Sequence, residues 1–531
     1  MKALLVAINS KYIHPANGLF QIYANSKYPV SLKEFTIKDS KIDILNFINN
    51  DDSEVLLLSC YIWNINIIKE ILPSIKDKII ALGGPEASFY TNLLYEPNVS
   101  FLTKGEGEDS FNELMDYLFG KIEKKDISNT YYLENGSVKY TFDKLPNLAT
   151  IKHDLSLIKD YDNRICYIES SRGCFYNCTY CLASTEKPVR YFPLEEVIRN
   201  IDFLLKHNAK TIKFLDRSFG VKREYIDGIL EYIINNDNGV STFQFEVNGD
   251  SIASSTLALL NKTRKKSIRL EIGIQSTNPK TIKAICRSQN FDKLRDNVLK
   301  LKDNTVIHTD LIAGLPYETY ESFKKSFNDA FMLLVEELQL GFLKELKGTV
   351  LSLTKDLYGY KFMDEGPYEV LSNNFITNEE LKEIKKVEMI VDKFYNYGYF
   401  KNTMDYLFNE LKLDPFETFK FVYDDMNVNM SKYQFDELTK MFYESLSKLV
   451  LDKDDLLFII KEDYLTRIKI KPKIWWNPSI ERSERKEMYI LFSLTYHLNI
   501  DDLYKYGHLE KNGNKYLLVC YKTNKKYKIT R

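Results

Sequence analysis

Three cysteines lie close together near the middle of the chain, at the spacing C-x-x-x-C-x-x-C: Cys174, Cys178 and Cys181. Three thiolates on one short loop can bind three irons of a 4Fe-4S cluster. Because the loop supplies no fourth ligand, one iron would stay open to a small chelating ligand. A zinc knuckle is the alternative, but tetrahedral zinc takes a fourth ligand and usually binds paired C-x-x-C cysteines. The spacing therefore favours an iron–sulfur cluster.

The sequence around these cysteines, Arg172-Gly173-Cys174-Phe175-Tyr176-Asn177-Cys178-Thr179-Tyr180-Cys181, resembles the cluster loop of the radical S-adenosylmethionine (SAM) enzymes. This resemblance implies that the three cysteines hold a 4Fe-4S cluster and that SAM chelates its open iron through amino and carboxylate groups. It also implies that Tyr180 lies beside the adenine. In that family the cluster cleaves SAM to a 5'-deoxyadenosyl radical, which abstracts a hydrogen atom.

The first 140 residues alternate between apolar strands and helical stretches, with strands predicted at 2–9, 55–60 and 78–82. Fully apolar runs separated by helices indicate a parallel sheet that is covered on both faces. We therefore expect an α/β, doubly wound, Rossmann-like domain over residues 1–140. Two glycine turns follow strand ends at 83–86 and 105–108, where ligands bind in such folds. A dinucleotide site is disfavoured because no G-x-G-x-x-G follows the first strand.

These turns, together with the segments 9–15 and 59–64, resemble the cobalamin-binding domain that precedes many radical SAM barrels. In the D-x-H-x-x-G motif of other cobalamin proteins a histidine coordinates cobalt, but here Tyr12 stands in place of the Asp before His14. We therefore expect cobalamin without a histidine lower ligand. His14 is expected to be a loop histidine bonded to backbone, with ligation of cobalt as the less favoured alternative. The resemblance implies cobalamin contacts for Ser59, Gly83, Gly84, Pro85, Gly105 and Glu106.

Residues 141–164 are predicted to form a linker, preceded by a type I' hairpin turn at Asn135-Gly136. Residues 165–374 then repeat a strand followed by a polar turn six times, which matches the partial (β/α)6 barrel of radical SAM proteins. Active sites of such barrels lie at the carboxyl ends of the strands. We expect the polar residues that follow these strands to surround one opening.

The family resemblance assigns roles to several of these residues, each of which alone is equally an ordinary polar residue of the barrel rim. Asp216 would meet the SAM amino group, although Asp216-Arg217 replaces the Gly-Gly-Glu that is often found there. Glu246 would reach the ribose hydroxyls. The remaining assignments are Gln275 and Ser276 as SAM contacts and Ile312 and Gly314 beside the adenine.

No catalytic acid or base can be assigned from the sequence. Cys286 is a candidate hydrogen donor, but its apolar, helix-like neighbourhood favours structural packing. His308 and Asp310 would share one face of a strand because side chains alternate along it. They form either an acid–base pair or, more commonly, a satisfied core contact.

Residues 375–531 are predicted to be mainly helical, with strand-like runs at 515–521 and 527–530. This region resembles a C-terminal extension of unassigned function in some cobalamin-type radical SAM proteins, and we expect it to cap the barrel and help select the substrate. Trp475 and Trp476, with Arg482 and Arg485 nearby, either contact substrate or pack between helices.

The composition is that of a soluble globular protein, with 44% hydrophobic and 28% charged residues and a net charge of −1. This charge gives no general basic field for nucleic acid, and no run of about eighteen apolar residues predicts a membrane span. The apolar N-terminal stretch is short and lacks a cleavage site, so we expect a buried strand and not a signal peptide. A reducing cytoplasm suits the cluster and the four remaining cysteines, expected as buried free thiols: Cys60, Cys166, Cys286 and Cys520.

The sequence therefore predicts a cobalamin-dependent radical SAM enzyme that methylates an unactivated carbon. A cobalamin-dependent oxidation or rearrangement, and a non-catalytic iron–sulfur electron-transfer protein, remain as alternatives. We expect a small-molecule or peptide substrate and an external electron donor such as flavodoxin or ferredoxin, with no membrane partner and nucleic acid unlikely.

Overall fold

The computed structural model describes residues 1–217, 219–471 and 474–531, which form two compact units. The first unit comprises Met1–Tyr320 and Gly341–Asn378, and the second comprises Glu321–Leu340 and Glu379–Arg531. Residues 1–140, 141–164 and 165–320 all belong to the first unit. The limits of the predicted domains within it stay predictions.

The N-terminal part of the first unit is built on a seven-stranded sheet with the order β2-β1-β3-β4-β5-β6-β7. The pairings among β1 to β5 are parallel, and β6 and β7 are added antiparallel. The strands are β1 Ala3–Asn9, β2 Val30–Thr36, β3 Val55–Ser59, β4 Ile79–Gly83, β5 Val99–Thr103, β6 Thr130–Glu134 and β7 Ser137–Tyr140. The helices are α1 Asn17–Asn25, α2 Lys41–Asn50, α3 Ile65–Ile71, α4 Pro85–Phe89 and α5 Glu108–Leu118.

The alternation of side chains along β1 explains why this sheet is covered on both faces. Leu4, Val6 and Ile8 belong to one apolar cluster, which includes residues of α2 and α3. Ala3 and Leu5 belong to a second cluster, which includes residues of α1 and α5. The predicted doubly wound arrangement is confirmed, as is the predicted turn at Asn135-Gly136, where both residues have positive φ.

The second sheet has six strands in the order β15-β14-β13-β12-β11-β8, with parallel pairing from β8 to β14. Along β13 the apolar residues are buried, whereas Arg269, Glu271, Gly273 and Gln275 point to the opposite face. The strands are β8 Ile165–Ile168, β9 Ser171–Arg172, β10 Arg190–Tyr191, β11 Thr211–Phe214, β12 Thr242–Val247, β13 Ile268–Gln275, β14 Val306–Ala313 and β15 Glu337–Phe342, of which β9 and β10 form a separate pair. The helices are α6 Leu194–Lys206, α7 Arg223–Asn235, α8 Ser254–Leu260, α9 Pro279–Ala284 and α10 Phe291–Leu301. The next helix, α11 Tyr320–Phe331, belongs to the second unit except for its first residue. The last part of the first unit contains α12 Val350–Leu353, β16 Lys361–Phe362 and β17 Val370–Ser372.

The second unit is mainly helical and ends in a three-stranded antiparallel sheet, as predicted. Its helix α17 carries three consecutive buried charged residues, Lys461, Glu462 and Asp463. Lys461 pairs with Glu510 at 2.8 Å, and Asp463 accepts hydrogen bonds from Asn402 and Thr403. The elements are α13 Asn378–Ile390, α14 Lys401–Asp405, α15 Pro415–Met426, α16 Phe435–Leu446, α17 Lys453–Arg467, α18 Arg482–Tyr496, α19 Ile500–Tyr506, β18 Gly507–Asn512, β19 Lys515–Cys520 and β20 Lys525–Thr530.

One expectation about the remaining cysteines is wrong. Cys60, Cys166 and Cys520 are buried free thiols, but Cys286 is exposed. The helix α9 ends at Ala284, and Cys286 adopts a positive φ of 52° beyond its end. The residue therefore lies in a surface turn and not on the apolar side of a helix. No helix in the described part of the chain combines the length and the apolar character needed to cross a membrane.

Candidate active site at the cysteine loop

The cysteine loop follows β8 and is anchored at both ends by backbone contacts. The short strands β9 and β10 pair Arg172 with Arg190 on either side of it. Gly173 has a φ of +93°, and a Cβ there would come within 2.7 Å of the Glu186 carbonyl oxygen. Lys187 donates through Nζ to the carbonyl oxygens of Cys174 and Tyr176, the latter at 2.9 Å. Only glycine fits this turn, so the loop needs Gly173 for its path.

The three thiols of the loop are close enough to influence one another. Cys174 and Cys178 are buried and Cys181 is half-buried. Burial raises the pKa of Cys181, and the neighbouring thiols of Cys178 and Cys174 raise it further. Among the described residues, no three His, Cys, Asp or Glu side chains are arranged to hold a single metal ion.

Arg172 joins the cysteine loop to the N-terminal sheet. Its guanidinium lies 2.7 Å from Glu106, 2.7 Å from Glu108 and 2.8 Å from Glu169, and its side chain is only 10% exposed. Arg190 forms a second ion pair with Glu106. The turn that follows β5 and the cysteine loop are therefore held together by buried charge pairs. The Glu106 carboxylate already pairs with two arginines. Its contact with cobalamin therefore stays a prediction.

The other predicted cobalamin residues lie at the carboxyl edge of the parallel strands. Ser59 and Gly83 face each other in the register of β3 and β4. Gly84, with a φ of +92°, packs so tightly that a Cβ would be 2.7 Å from the Cys60 carbonyl oxygen. At Gly105, where φ is +72°, a Cβ would meet nothing within 4 Å. The structure thus brings Ser59, Gly83, Gly84 and Gly105 to one edge, with open space at Gly105. Pro85 is the first residue of α4 at the same edge.

A segment after β15 fastens this edge to the rest of the first unit. Buried Glu86 accepts a hydrogen bond from the Tyr368 hydroxyl at 3.0 Å and lies 3.6 Å from Lys347 Nζ. The same segment reaches the cysteine loop, because the N–H of Leu351 donates to the carbonyl oxygen of Thr179. No local sequence pattern indicates this connection, because its partners lie more than 170 positions apart.

The concave face of the barrel sheet carries a continuous set of charged side chains. Lys213 donates to Glu271 at 2.9 Å and lies 3.8 Å from Glu246. Burial raises the pKa of Glu246, and Arg217, 3.9 Å away, acts in the opposite direction. His308 Nε2 lies 2.9 Å from Asp310 Oδ1, so the predicted pair shares one face of β14. These groups would surround a ligand bound within the barrel.

The predicted SAM contacts fall into two groups. Asp216 is buried and accepts from the Ser170 hydroxyl at 2.6 Å, the Ser170 N–H at 3.0 Å and the Ser171 hydroxyl. Its carboxylate ties the end of β11 to the end of β8, and burial raises its pKa. A contact between Asp216 and the SAM amino group stays a prediction. Ser276 is likewise buried and donates to Glu318.

In the second group, Gln275 keeps a buried polar atom that a ligand could contact. Gln275 ends β13 with a φ of +67°, and its Oε1 is buried without a hydrogen-bond partner. Tyr180 is half-buried within the cysteine loop, and burial raises the pKa of its hydroxyl. Ile312 lies half-buried near the end of β14. The Gly314 carbonyl oxygen is already used by the Tyr360 hydroxyl at 2.8 Å and by Asn373.

Arg287 is a site residue that the sequence interpretation missed. Its Nη1 lies 4.0 Å from the sulfur of Cys178, and its Nη2 donates to the Gly273 carbonyl oxygen. The guanidinium therefore places a positive charge beside a thiol of the loop. From the sequence alone, the thiol of Cys286 is the one candidate in this segment. The sequence nonetheless contains a signal, because the segment that follows Gln275 ends in a basic residue, Arg287.

Comparison with known proteins identifies this region. Residues 168–330 match the family model described as "Radical SAM superfamily". This part of the chain is a radical SAM domain. Residues 356–511 match a second family model, described as "Protein of unknown function (DUF4080)". The predicted radical SAM resemblance is therefore confirmed for the region that contains the cysteine loop.

Proteins with curated names are similar to the radical SAM domain and its surroundings. The chain is 24% identical over 306 residues to the "Cobalamin-dependent radical SAM methyltransferase TokK" of Streptomyces tokunonensis, covering 51% of this chain and 44% of that protein. It is also 24% identical over 310 residues to a "2-(S-pantetheinyl)-carbapenam-3-carboxylate methyltransferase" of Streptantibioticus cattleyicolor, with the same coverage of both chains. The chain thus spans less than half the length of these two relatives.

Solved structures with a radical SAM domain share the fold. The TsrM methyltransferase from Kitasatospora setae, with cobalamin and a [4Fe-4S] cluster bound, gives a TM-score of 0.61 at 12% identity, covering 76% of this chain and 95% of that chain. The cobalamin-dependent radical enzyme OxsB, with aqua-cobalamin and SAM bound, gives a TM-score of 0.58 at 15% identity, covering 87% and 78%. These similarities confirm the predicted fold class.

Proposed function

We propose that this protein is a cobalamin-dependent radical SAM enzyme that methylates an unactivated carbon. The observation that carries the proposal is the set of buried ion pairs between Arg172 of the cysteine loop and Glu106 and Glu108 of the N-terminal sheet. These pairs hold the predicted cluster loop against the predicted cobalamin turn. Methyl transfer between the two cofactor sites requires this proximity, because the substrate must meet both.

The residues of the loop fit a 4Fe-4S cluster. The cluster would be held by Cys174, Cys178 and Cys181, whose sulfurs are the donor type that such clusters take. The backbone pairing of β9 with β10 and the contacts of Lys187 fix the loop before a ligand binds. Preorganised ligands of this kind lower the cost of ordering the site.

The N-terminal edge fits a corrin that has no histidine below the cobalt. Open space at Gly105 admits a ligand close to the backbone, whereas Gly84 is already packed. His14 Nδ1 lies 2.7 Å from the Tyr167 hydroxyl, so this nitrogen bonds to a side chain of β8 and not, as expected, to backbone. Burial lowers the pKa of His14 and favours its neutral form.

Two side chains support SAM binding in the barrel. The unpartnered Oε1 of Gln275 can accept a hydrogen bond from a ribose hydroxyl, which would remove the cost of leaving it buried and unpaired. Arg287, beside Cys178, presents a fork of N–H donors that suits the methionine carboxylate. When bound, the cluster and SAM supply a 5'-deoxyadenosyl radical, and methylcobalamin supplies the methyl group. The chain contributes binding, orientation and exclusion of water.

The proposed enzyme takes a small-molecule or peptide substrate and needs an external electron donor. A reductant of the flavodoxin or ferredoxin type would deliver one electron to the cluster for each SAM cleaved. The charged concave face of the barrel, which includes Lys213, Glu246, Glu271 and Asp310, favours a polar substrate over a purely hydrocarbon one.

The test uses anaerobically reconstituted protein with cobalamin, dithionite and methyl-labelled SAM. The proposal predicts 5'-deoxyadenosine, S-adenosylhomocysteine and label on the corrin. Cys178→Ala should abolish 5'-deoxyadenosine formation, whereas Cys286→Ala, outside the loop, should retain it. Formation of 5'-deoxyadenosine with no label transferred to corrin or product would instead favour the oxidation or rearrangement alternative. Absence of SAM cleavage by the reconstituted protein would contradict the radical SAM assignment.

A further inference from the structure

The outer edge of the cysteine loop is in direct contact with two surface segments. Thr179, which lies between Cys178 and Cys181, donates its N–H to the carbonyl oxygen of Ile285 at 3.0 Å. Its carbonyl oxygen accepts from the N–H of Leu351 at 2.9 Å. The end of α9 and the start of α12 therefore flank the loop that carries the thiols.

The first of these segments is basic. Residues 278–289 contain Lys280, Lys283 and Arg287 and no acidic residue, in a chain whose net charge is −1. Lys280 and Lys283 are exposed, and neither forms an ion pair in the part of the chain that the structure describes. Arg287 extends the positive charge inward to within 4.0 Å of the Cys178 sulfur.

The second segment is apolar and exposed. Leu353 and Leu357 are 79% and 75% exposed, and Val350 at the start of the same segment is also exposed. Asp356 is the one acidic residue between positions 350 and 358. Exposed apolar residues beside unpaired cations are typical of a surface that binds another protein.

We propose that Lys280, Lys283, Leu353 and Leu357 form a donor-docking surface for a small acidic electron-transfer protein. The inference rests on the proposed function, because it assigns a reductant to the cluster of that site. Weak electron-transfer complexes bury little surface, so two short segments suffice. Complementary charge accelerates such encounters and makes them sensitive to salt. In the step itself, one electron leaves the donor's reduced cofactor and enters the oxidised cluster, with no bond or proton transferred.

The test compares two reductants on the reconstituted holoenzyme, with 5'-deoxyadenosine as the readout. Reduced flavodoxin is an acidic protein donor, whereas dithionite is a small molecule that needs no docking surface. The double variant Lys280→Glu/Lys283→Glu should raise the KM for flavodoxin about tenfold and leave the dithionite-driven rate unchanged. Leu353→Ser/Leu357→Ser should also raise the KM for flavodoxin, and this increase should depend less on salt concentration.

The matched control is Lys293→Glu/Lys300→Glu, which makes the same change in charge at exposed positions of α10. It should leave the KM for flavodoxin within about twofold of the wild type. Equal KM values for the two charge-reversal variants would overturn the inference, as would an equal loss of rate with dithionite. If the wild type cleaves SAM with dithionite but the docking variants behave as the control, only the docking surface is refuted. If it cleaves SAM with neither reductant, the proposed function fails as well.

Discussion

Replacing Arg172 by methionine should strongly destabilise the first unit. The substitution keeps a long apolar stem but removes the charge that faces three carboxylates, at 2.7 Å for Glu106 and Glu108 and 2.8 Å for Glu169. Glu108 is only 5% exposed, so its charge would be left buried without its cation. Breaking a buried ion pair by removing one partner costs about 3–5 kcal/mol.

The matched control is Arg199→Met, which removes an arginine that is 72% exposed and pairs with Glu196 within α6. An exposed pair of this kind contributes about 0–1 kcal/mol. The two substitutions make the same chemical change, so the difference between their effects on the free energy of unfolding isolates the contribution of burial. We expect Arg172→Met to lower the free energy of unfolding by about 3 kcal/mol more than Arg199→Met, roughly a hundredfold in the equilibrium constant.

Urea unfolding followed by tryptophan fluorescence measures this difference. The chain has three tryptophans, and with Trp475→Phe and Trp476→Phe as a common background the remaining Trp63 reports on the first unit. Arg172→Lys should fall between the wild type and Arg172→Met, because an ammonium cannot reproduce the fork of contacts. If the changes in free energy of unfolding caused by Arg172→Met and Arg199→Met differ by less than about 1 kcal/mol, the buried ion pairs of Arg172 do not hold the cysteine loop as described.

Three further predictions concern single contacts. Gly84→Ala should lower the free energy of unfolding more than Gly120→Ala does. Both positions have positive φ and share a backbone strain of about 1–2 kcal/mol, but of the two only Gly84 lacks room for a Cβ. Urea titration of both variants measures the difference, and equal free energies would contradict this prediction. Tyr368→Phe should lower the free energy of unfolding by about 1–3 kcal/mol and lower the retention of cobalamin on gel filtration, because it leaves buried Glu86 without its hydroxyl donor. Tyr397→Phe, at an exposed position, should change neither quantity. Burial alone would raise the pKa of Glu510, but hydrogen bonds from His508 and Lys461 lower it to about 2, below its value in the unfolded chain. The stabilisation from Glu510 is therefore complete above pH 4.5 and is lost as the pH falls towards 2. In Glu510→Gln the free energy of unfolding of the second unit should depend less on pH over this range. An unchanged pH profile would refute this assignment.

Periodicity and turn chemistry predicted the elements that carry strong local signals. The apolar run of β1 identified a buried strand, and Asn135-Gly136 identified a hairpin turn. The strand β2 was missed because its Lys33 and Glu34 lie on a half-buried strand at the sheet edge. The second unit was predicted to be mainly helical, but the burial of Lys461, Glu462 and Asp463 on α17 was not predicted, because their partners are distant in sequence.

The cysteine loop was readable from the sequence because its ligands lie within eight positions. The partners of the other site residues were not. Asp216 meets Ser170 some forty-six positions away, and Glu106 meets Arg172 sixty-six positions away. Such pairs follow from how β11 lies beside β8 and how β5 ends near the cysteine loop. A single sequence states which residues are charged, but the packing of strands decides which charges meet.

We infer that the cysteine loop and the turn at Gly105 bind two metal cofactors side by side. An anaerobic ultraviolet–visible spectrum with iron and cobalt counts on the reconstituted protein tests it most directly. We predict about four irons with thiolate-to-iron absorption, together with one corrin per chain, and loss of the iron in Cys178→Ala. A protein that binds neither a corrin nor iron after reconstitution would contradict the account.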